Sequence, residues 1–416
     1  MTRTHRRPNW FLRVVLVLLI VIMFYVERVV VPTIPPPFVP SPTPTRSPES
    51  FVTEAQRAFD EGNLLQSIDL YKEALRSNPQ GDSIYVSMAQ VQVFAGQYAE
   101  AQASAENAIL LNPNNSMAHA VLAWSLDFQG DYVGALDSVQ RAMDLDPNNG
   151  IAHAYYVEIL VDSYQAGVGG FDDLAKAAEE SRVALSLAPN TIEANRARGY
   201  ILEATGNYQE AIEFYKAAVE LNDKIPDLHL ALGRTYRFLS VYDQAIEEFT
   251  RANALNPSDP TPDLLISRTY ASIGEFAKAA QFAQSAVNDA PTDPSLRGNY
   301  GVMLYRNVDW VEAVNQLGFV INGGKTEDGQ PIEKLTLSTE IRVVEYYFTY
   351  GLALARLNRC GEALQVAQQI LGRVPGDEIA VANANEVIKI CEANLSVTPT
   401  PAAETPAPAI TPTPAQ

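Results

Sequence analysis

The sequence contains few of the residues from which catalytic and metal centres are built. Its 416 residues include two cysteines and four histidines. Two cysteines exclude a disulfide-rich scaffold and a zinc site made from a cysteine cluster. The motifs H-E-x-x-H, G-x-S-x-G, G-x-x-x-x-G-K-S/T and G-x-G-x-x-G are absent from the sequence as well. We therefore predict a protein that is not an enzyme and that binds neither a metal nor another cofactor.

Basic residues are also scarce. The chain has 30 Lys and Arg residues against 49 Asp and Glu residues, which gives a formal net charge of −19. Six arginines and one acidic residue fall within the first 48 residues, so the remainder is more acidic still. Because DNA binds proteins through basic surfaces that displace its counterions, this charge excludes duplex nucleic acid as a partner.

An apolar segment near the amino terminus predicts a membrane anchor. Residues 14–26 form an uninterrupted apolar run that follows a basic segment. Extended to 10–31, the segment can cross a hydrocarbon core of about 30 Å, provided that Arg13 and Arg28 reach towards opposite interfaces. The basic flank then places residues 1–9 in the cytoplasm and everything after the span outside it, as in a single-pass protein of the cell membrane. A cleaved signal peptide and a core helix are the alternatives, although no A-x-A-like cleavage site follows the run.

Two proline-rich segments flank the body of the chain. Residues 32–48 contain eight of the 27 prolines, and residues 396–416 contain six. Proline favours extended backbone and removes a hydrogen-bond donor, so such segments do not pack as helices or sheets. We predict a stiff linker at 32–48 and a disordered Pro/Thr-rich tail at 395–416.

A 34-residue repeat fills the region between these segments. Pro79, Pro113 and Pro147 are spaced 34 residues apart, as are Pro257 and Pro291. If this proline is position 32 of each unit, position 20 is small in all nine units and position 15 is glycine in five. Small residues let two helices cross closely, glycine ends the first helix and proline ends the second. The units begin near residues 48, 82, 116, 150, 192, 226, 260, 294 and 344.

Two stretches, AWSLDFQGDYVGALDSVQRAMDLDPNN (123–149) and ALGRTYRFLSVYDQAIEEFTRANALNPSD (231–259), carry this pattern most fully. The pattern resembles the tetratricopeptide repeat (TPR) family. The resemblance implies an all-α, right-handed superhelical solenoid of about nine helix-turn-helix repeats over 49–394, with a capping helix at its end. Unit lengths place extra residues at 166–173 and 322–337, and both insertions are expected to be surface loops. His119, His153 and His229 share position 4 of their units, which indicates a packing role.

In this family the first helix of each repeat lines a concave groove. The corresponding positions here form a stripe of aromatic and arginine side chains, which suits an extended or acidic protein segment. The alternative is that the arginines pair with neighbouring acids such as Glu193, Glu203 and Asp227 and only hold the stack together. The candidate groove residues are Phe94, Trp124, Phe128, Tyr155, Arg196, Tyr200, Arg234, Arg237, Arg268, Tyr305 and Arg306.

The stacked-hairpin architecture also brings the two cysteines to one edge of the solenoid. Cys360 and Cys391 are therefore a candidate disulfide, with two free, partly buried thiols as the alternative. Taken together, these features predict a membrane-tethered, non-catalytic scaffold whose partner is a protein. The alternatives are an accessory factor in envelope assembly or polysaccharide export, and a secreted repeat protein if the amino-terminal segment is cleaved.

Overall fold

A computed structural model of the chain describes residues 9–26, 28 and 46–396. The first helix, α1 (Trp10–Tyr25), is apolar except for Arg13, and those of its side chains that the structure describes are exposed. Among the residues that the structure describes, no helix combines the length and the hydropathy that a bilayer crossing requires. The predicted span at 10–31 is longer than α1, and residues 27 and 29–31 lie outside the described part. So do residues 1–8, most of the predicted linker and the tail from residue 397.

Residues 46–396 form an almost entirely helical array of nine helix pairs, here called repeats one to nine, and a final helix. In order, the pairs are α2 (Pro48–Asp60) and α3 (Leu64–Ser77), α4 (Asp82–Phe94) and α5 (Tyr98–Leu111), α6 (Ser116–Asp127) and α7 (Tyr132–Leu145), α8 (Gly150–Gln165) and α9 (Asp173–Leu187), α10 (Ile192–Ala204) and α11 (Tyr208–Leu221), α12 (Pro226–Phe238) and α13 (Tyr242–Leu255), α14 (Thr261–Ser272) and α15 (Phe276–Asp289), α16 (Pro294–Arg306) and α17 (Trp310–Asn322), and α18 (Ile341–Arg356) and α19 (Cys360–Arg373). The last helix is α20 (Glu378–Ser396). The predicted all-helical solenoid is confirmed.

Small residues occur where the two helices of a repeat cross. The position-20 alanines, for example Ala101, Ala135 and Ala245, have no exposed surface. A large side chain on the second helix fills the space opposite a small residue on the first. A Cβ atom added at Gly233 would lie 2.5 Å from the ring of Phe249, so this crossing requires glycine.

Each hairpin turns through one residue with a positive φ. Glycine provides it in six repeats, for example Gly206 (φ +79°) and Gly274 (φ +82°). The equivalent residues in repeats six, eight and nine are Ser240, Val308 and Asn358, with φ between 60° and 68°. The turn is therefore a property of the repeat, and it persists where the sequence lacks the glycine that favours it.

In repeats three to six and in repeat eight, the side chain at position 4 ties the first helix to the end of the preceding repeat. The Nε2 atom of His119 lies 3.1 Å from the Pro113 carbonyl oxygen, and Nε2 of His153 lies 3.1 Å from that of Pro147. In repeat eight Arg297 takes the same role, its Nε donating to the carbonyl six residues earlier. These bonds satisfy carbonyls left open at a helix end, which gives the recurrent histidines a structural function.

The insertion between repeats eight and nine is anchored to the array, although most of its residues are exposed as expected for a surface loop. It contains two short antiparallel strands, β1 (Gly324–Lys325) and β2 (Pro331–Ile332). Ile332 and Leu337 are buried, and the Leu335 amide donates to the Val320 carbonyl at 2.8 Å. Ile332 and Leu337 therefore anchor to the array a segment whose other residues are mostly exposed.

The final helix α20 covers the last repeat. Its residues Ala380, Ala384 and Val387 are buried in the core cluster of repeats seven to nine. The structure joins Cys360, the first residue of α19, to Cys391 of α20 in a disulfide, with Cα atoms 5.4 Å apart. α20 is thus held to the array by both apolar packing and a covalent link.

Candidate functional site: the inner wall of the repeats

The predicted groove residues lie on, or directly after, the first helices of repeats two to eight. We call the surface that these helices share the inner wall. In its amino-terminal half, aromatic rings follow one another from repeat to repeat. The centroids are 5.6 Å apart for Phe59 and Phe94, 5.0 Å for Phe94 and Trp124, and 4.4 Å for Trp124 and Tyr155. This aromatic series is continuous over repeats one to four.

The aromatic series is covered by another part of the same chain. Ile225 and Leu228, where α12 begins, are fully buried and pack against Phe59 and Phe94. The Asn222 side-chain amide also donates to the Phe59 carbonyl at 3.5 Å, across 163 residues of sequence. Repeats one and two therefore touch repeat six.

Most of the amino-terminal candidate residues expose little surface to a partner. Phe94 is half-buried, and Trp124 and Tyr155 are 1% and 0% exposed. Phe128 is 40% exposed and stacks on Tyr98 with a centroid distance of 4.7 Å. Of the four aromatic candidates in this half, Phe128 presents the most surface to a partner.

Arg196 is the centre of a buried ionic network. Its guanidinium group donates to both carboxylate oxygens of Glu158 and, at 2.9 Å, to Asp227. It also lies over the Trp124 ring, 4.9 Å from the centroid, and the Trp124 Nε1 donates to Glu158 at 2.9 Å. Burial raises the pKa of Glu158, and the Arg196 charge opposes that shift. Arg196 thus joins repeats four, five and six, as the structural alternative predicted.

A pocket of about 230 Å³ opens beside this network. Within this pocket, the Tyr200 hydroxyl donates a hydrogen bond to the Asp162 carboxylate. Near Asp162, both carboxylate oxygens of Asp127 are buried and make no hydrogen bond with a described residue. Burial and the Asp162 charge raise the pKa of Asp127 to about 9, so at neutral pH its proton is retained and can be donated to Asp162. The pocket is lined by Phe128, Glu158, Asp162, Arg196, Tyr200, Tyr215, Asp227, Ala231 and Arg234.

The arginines of the carboxyl-terminal half divide into two groups. Arg234 lies 3.6 Å from Glu203, and Arg306 donates to Glu345 at 3.0 Å. Arg237 and Arg268 make no ion pair with any described residue, and their Nε atoms are buried without a hydrogen-bond partner. Tyr305 is half-buried near the end of α16 and directly precedes Arg306 in the sequence.

Arg342 joins this group although the sequence did not indicate it. Burial and, after it, the Arg342 charge lower the pKa of both Arg237 and Arg268. Arg342 lies in the first turn of α18 and shares Glu345 with Arg306. The sequence numbering started unit nine at residue 344, so Arg342 fell outside the positions considered. The effect of its charge on Arg237 and Arg268 depends on how repeats six to nine stack.

The described residues do not include a group of three or more His, Cys, Asp or Glu side chains placed to hold a metal ion. What the inner wall does offer is accessible arginine and tyrosine side chains, the types enriched at the energetic centres of protein interfaces.

Comparison with known families supports the repeat assignment. Tetratricopeptide repeat family models match residues 58–124, 192–225 and 230–294, which supports a TPR protein. A search of curated proteins finds no match.

Solved structures similar to this chain include two that each cover more than half of it. One is a TPR protein from Parabacteroides merdae, with 15% identity, a TM-score of 0.40, and coverage of 62% of this chain and 98% of that one. The other is human IFIT1, solved as a dimer with m7Gppp-AAAA, with 18% identity, a TM-score of 0.55, and coverage of 83% and 81%. At this identity the second similarity shows the fold alone.

Proposed function

We propose that this protein is a membrane-tethered, non-catalytic scaffold that binds an extended acidic segment of a partner protein. The segment lies along the inner wall of repeats five to eight. TPR arrays generally mediate protein–protein interaction, which supports the scaffold role. The observation that carries the proposal is the pair Arg237 and Arg268, neither of which forms an ion pair with a described acid, in contrast to Arg234 and Arg306.

The choice of the carboxyl-terminal half follows from the contact between repeats one, two and six. Ile225 and Leu228 cover the aromatic rings of the first repeats, so an extended segment has no access there without displacing them. On α12 and α14, Arg237 and Arg268 are half-buried, so part of each side chain stays accessible to a partner. An arginine fork that binds a carboxylate makes a strong, oriented pair of hydrogen bonds.

The tether is supported by the amino-terminal sequence. The apolar run at 14–26 follows a basic segment, an arrangement that retains the basic end in the cytoplasm. The disulfide between Cys360 and Cys391 suits an oxidising compartment, where structural disulfides persist. Both features favour repeats that lie outside the cytoplasm of a single-pass membrane protein. If the tether is retained, the chain stays in the membrane fraction after washing with sodium carbonate; its release would favour the cleaved form.

The binding role is tested with the full chain in detergent and a fluorescent peptide of extended, glutamate-rich sequence. Charge reversal by R237E or R268E is expected to weaken binding at least about tenfold, since each variant removes a charged hydrogen bond and adds repulsion. The control is R251E, because Arg251 pairs with Glu247 on the exposed surface of α13. Far-UV circular dichroism checks that each variant is folded. Equal affinity of R237E, R268E and R251E for the peptide would contradict the proposal.

A further inference from the structure

The pocket of about 230 Å³ on the inner wall is formed by repeats three to six and is accessible from solvent. Phe128 is 40% exposed, and the side chains of Asp227 and Arg234 are 44% and 33% exposed. Asp162 and Tyr200 line the same pocket and are half-buried. Small-molecule sites usually measure roughly 300–1,000 Å³, so this pocket suits one side chain or a group of that size. We call it the Asp162 pocket.

Asp162 is the one charged side chain lining the pocket that forms no ion pair with a described residue. Arg196 pairs with the other two carboxylates of the lining, and Arg234 lies 3.6 Å from Glu203. The Asp162 carboxylate accepts the Tyr200 hydroxyl, which is a neutral donor. Burial raises the pKa of Asp162, as expected for a carboxylate that is partly withdrawn from water without an ion-pair partner.

The balance of charge in the pocket favours a cation. The two guanidinium groups of the lining already have carboxylate partners, and the lining together with Glu203 holds two more carboxylates than guanidinium groups. An added anion would meet this excess of like charge, whereas an added cation would reduce it. The accessible and unpaired carboxylate of Asp162 is where the cation is expected to bind.

The rest of the lining suits an alkyl stem. The rings of Phe128 and Tyr200 and the methyl group of Ala231 form apolar surface beside Asp162. Aromatic faces also attract a cation, by about 0.5–1 kcal/mol at an exposed site. One unpaired carboxylate next to apolar walls is complementary to a methylene chain that ends in a positive charge.

The hydrogen bonding of Asp162 distinguishes between the two basic side chains of that kind. One Asp162 oxygen already accepts the Tyr200 hydroxyl. An arginine fork uses both oxygens of a carboxylate, whereas an ammonium group acts as a point charge and needs one. We propose that the Asp162 pocket binds a lysine side chain of a partner protein, with its ammonium group at Asp162 and its stem against Phe128. This site lies beyond the proposed function, because it involves neither Arg237 nor Arg268 and takes a group of the opposite charge.

The first experiment uses n-butylammonium, a lysine side chain without its backbone, as the probe. The full chain in detergent carries W10F/W310F, which leaves Trp124, whose ring centroid lies 5.9 Å from that of Phe128. Sodium chloride keeps the ionic strength constant, and 1-butanol is the uncharged comparison. The Trp124 emission is expected to change saturably with n-butylammonium and much less with 1-butanol. An equal response to the two probes would overturn the proposal.

The variant D162N removes the unpaired charge and keeps an acceptor for the Tyr200 hydroxyl. It should weaken n-butylammonium binding at least about tenfold, since a charged hydrogen bond is lost. The matched control is D144N, because Asp144 is exposed and also accepts a hydrogen bond from a neutral donor, the Gln140 amide, at 3.0 Å. D144N should bind like the parent chain. Equal affinities of D162N and D144N would overturn the proposal.

A second variant covers the case in which D162N does not fold, as judged by far-UV circular dichroism. Y200F removes the hydroxyl that competes for Asp162 and leaves the carboxylate in place. It should therefore bind n-butylammonium more tightly than the parent chain does. Equal or weaker binding by Y200F would contradict the placement of the ammonium group at Asp162.

The second experiment tests whether the ammonium group comes from a protein. Acetyl-Gly-Lys-Gly-amide is compared with the same peptide carrying norleucine in place of lysine. The lysine peptide is expected to bind at least about tenfold more tightly, with the difference lost in D162N. Binding of n-butylammonium without binding of the lysine peptide would overturn the lysine assignment. Either failure leaves acidic-segment binding standing, because the glutamate-rich peptide and R237E or R268E test that role separately.

Discussion

Replacement of Arg196 by methionine tests whether this residue holds the repeats together. Arg196 is 7% exposed and donates to Glu158, which is 3% exposed. R196M keeps the apolar stem of the side chain and removes the charged group that lies over Trp124, which leaves the Glu158 carboxylate buried without an ion-pair partner. Removal of one partner from a buried ion pair costs about 3–5 kcal/mol, mostly because the remaining charge is desolvated. We expect a loss of that size in the free energy of unfolding.

A second substitution separates desolvation from lost packing. In R196M/E158Q the residue at 158 is neutral, and its amide oxygen still accepts the Trp124 Nε1 hydrogen bond. Because no buried charge remains, we expect the double variant to recover about 2–3 kcal/mol relative to R196M. Asp227 is 44% exposed at its side chain, so it stays solvated in either variant.

The measurement is urea unfolding followed by tryptophan emission. The chain has three tryptophans, and a W10F/W310F background leaves Trp124 as the reporter beside the network. Far-UV circular dichroism records the whole array in the same samples, because long repeat arrays can unfold in parts. A loss below about 1 kcal/mol for R196M, or no recovery in R196M/E158Q, would refute the structural role. Loss of peptide binding at unchanged stability would instead make Arg196 a ligand contact.

Two further predictions concern backbone strain and a buried acid. Val308 is 66% exposed and holds φ at 68°, so V308G should raise the free energy of unfolding by about 1 kcal/mol. G274V places a β-branched residue at a positive φ and should lower the free energy of unfolding. Thermal unfolding of both variants measures these changes, and changes of the opposite sign would contradict the prediction. Burial first, and then the Asp162 charge, raise the pKa of Asp127 from its ordinary value of 3.8 to about 9 in the folded state. The stability that the protonated Asp127 contributes is therefore fully present below pH 4 and is lost as the pH rises towards 9. The free energy of unfolding of D127N should exceed that of the wild type by about 1–3 kcal/mol at pH 8, and the two proteins should differ least at pH 4. Urea titrations at both pH values check this.

The sequence by itself determined the repeat architecture. The 34-residue period predicted paired helices, and first helices begin at Pro48, Asp82, Ser116 and Pro226, where the numbering placed the units. This succeeds because small residues, turns and helix ends act within one repeat, over distances that the sequence displays directly. The turn at Val308 shows the limit, since its positive φ follows from the repeat and not from its own residue type.

Only the tertiary structure decided which part of the inner wall is open. Each repeat rotates slightly against its neighbour, and the sum of these rotations brings Phe59 to Ile225 and Leu228. The same summation gives Arg196 its carboxylate partners and leaves Arg237 and Arg268 without any among the described residues. No local pattern encodes such a sum. The sequence identified which side chains stand on the first helices, and the stacking of the repeats determined which of them are covered, paired or left to bind.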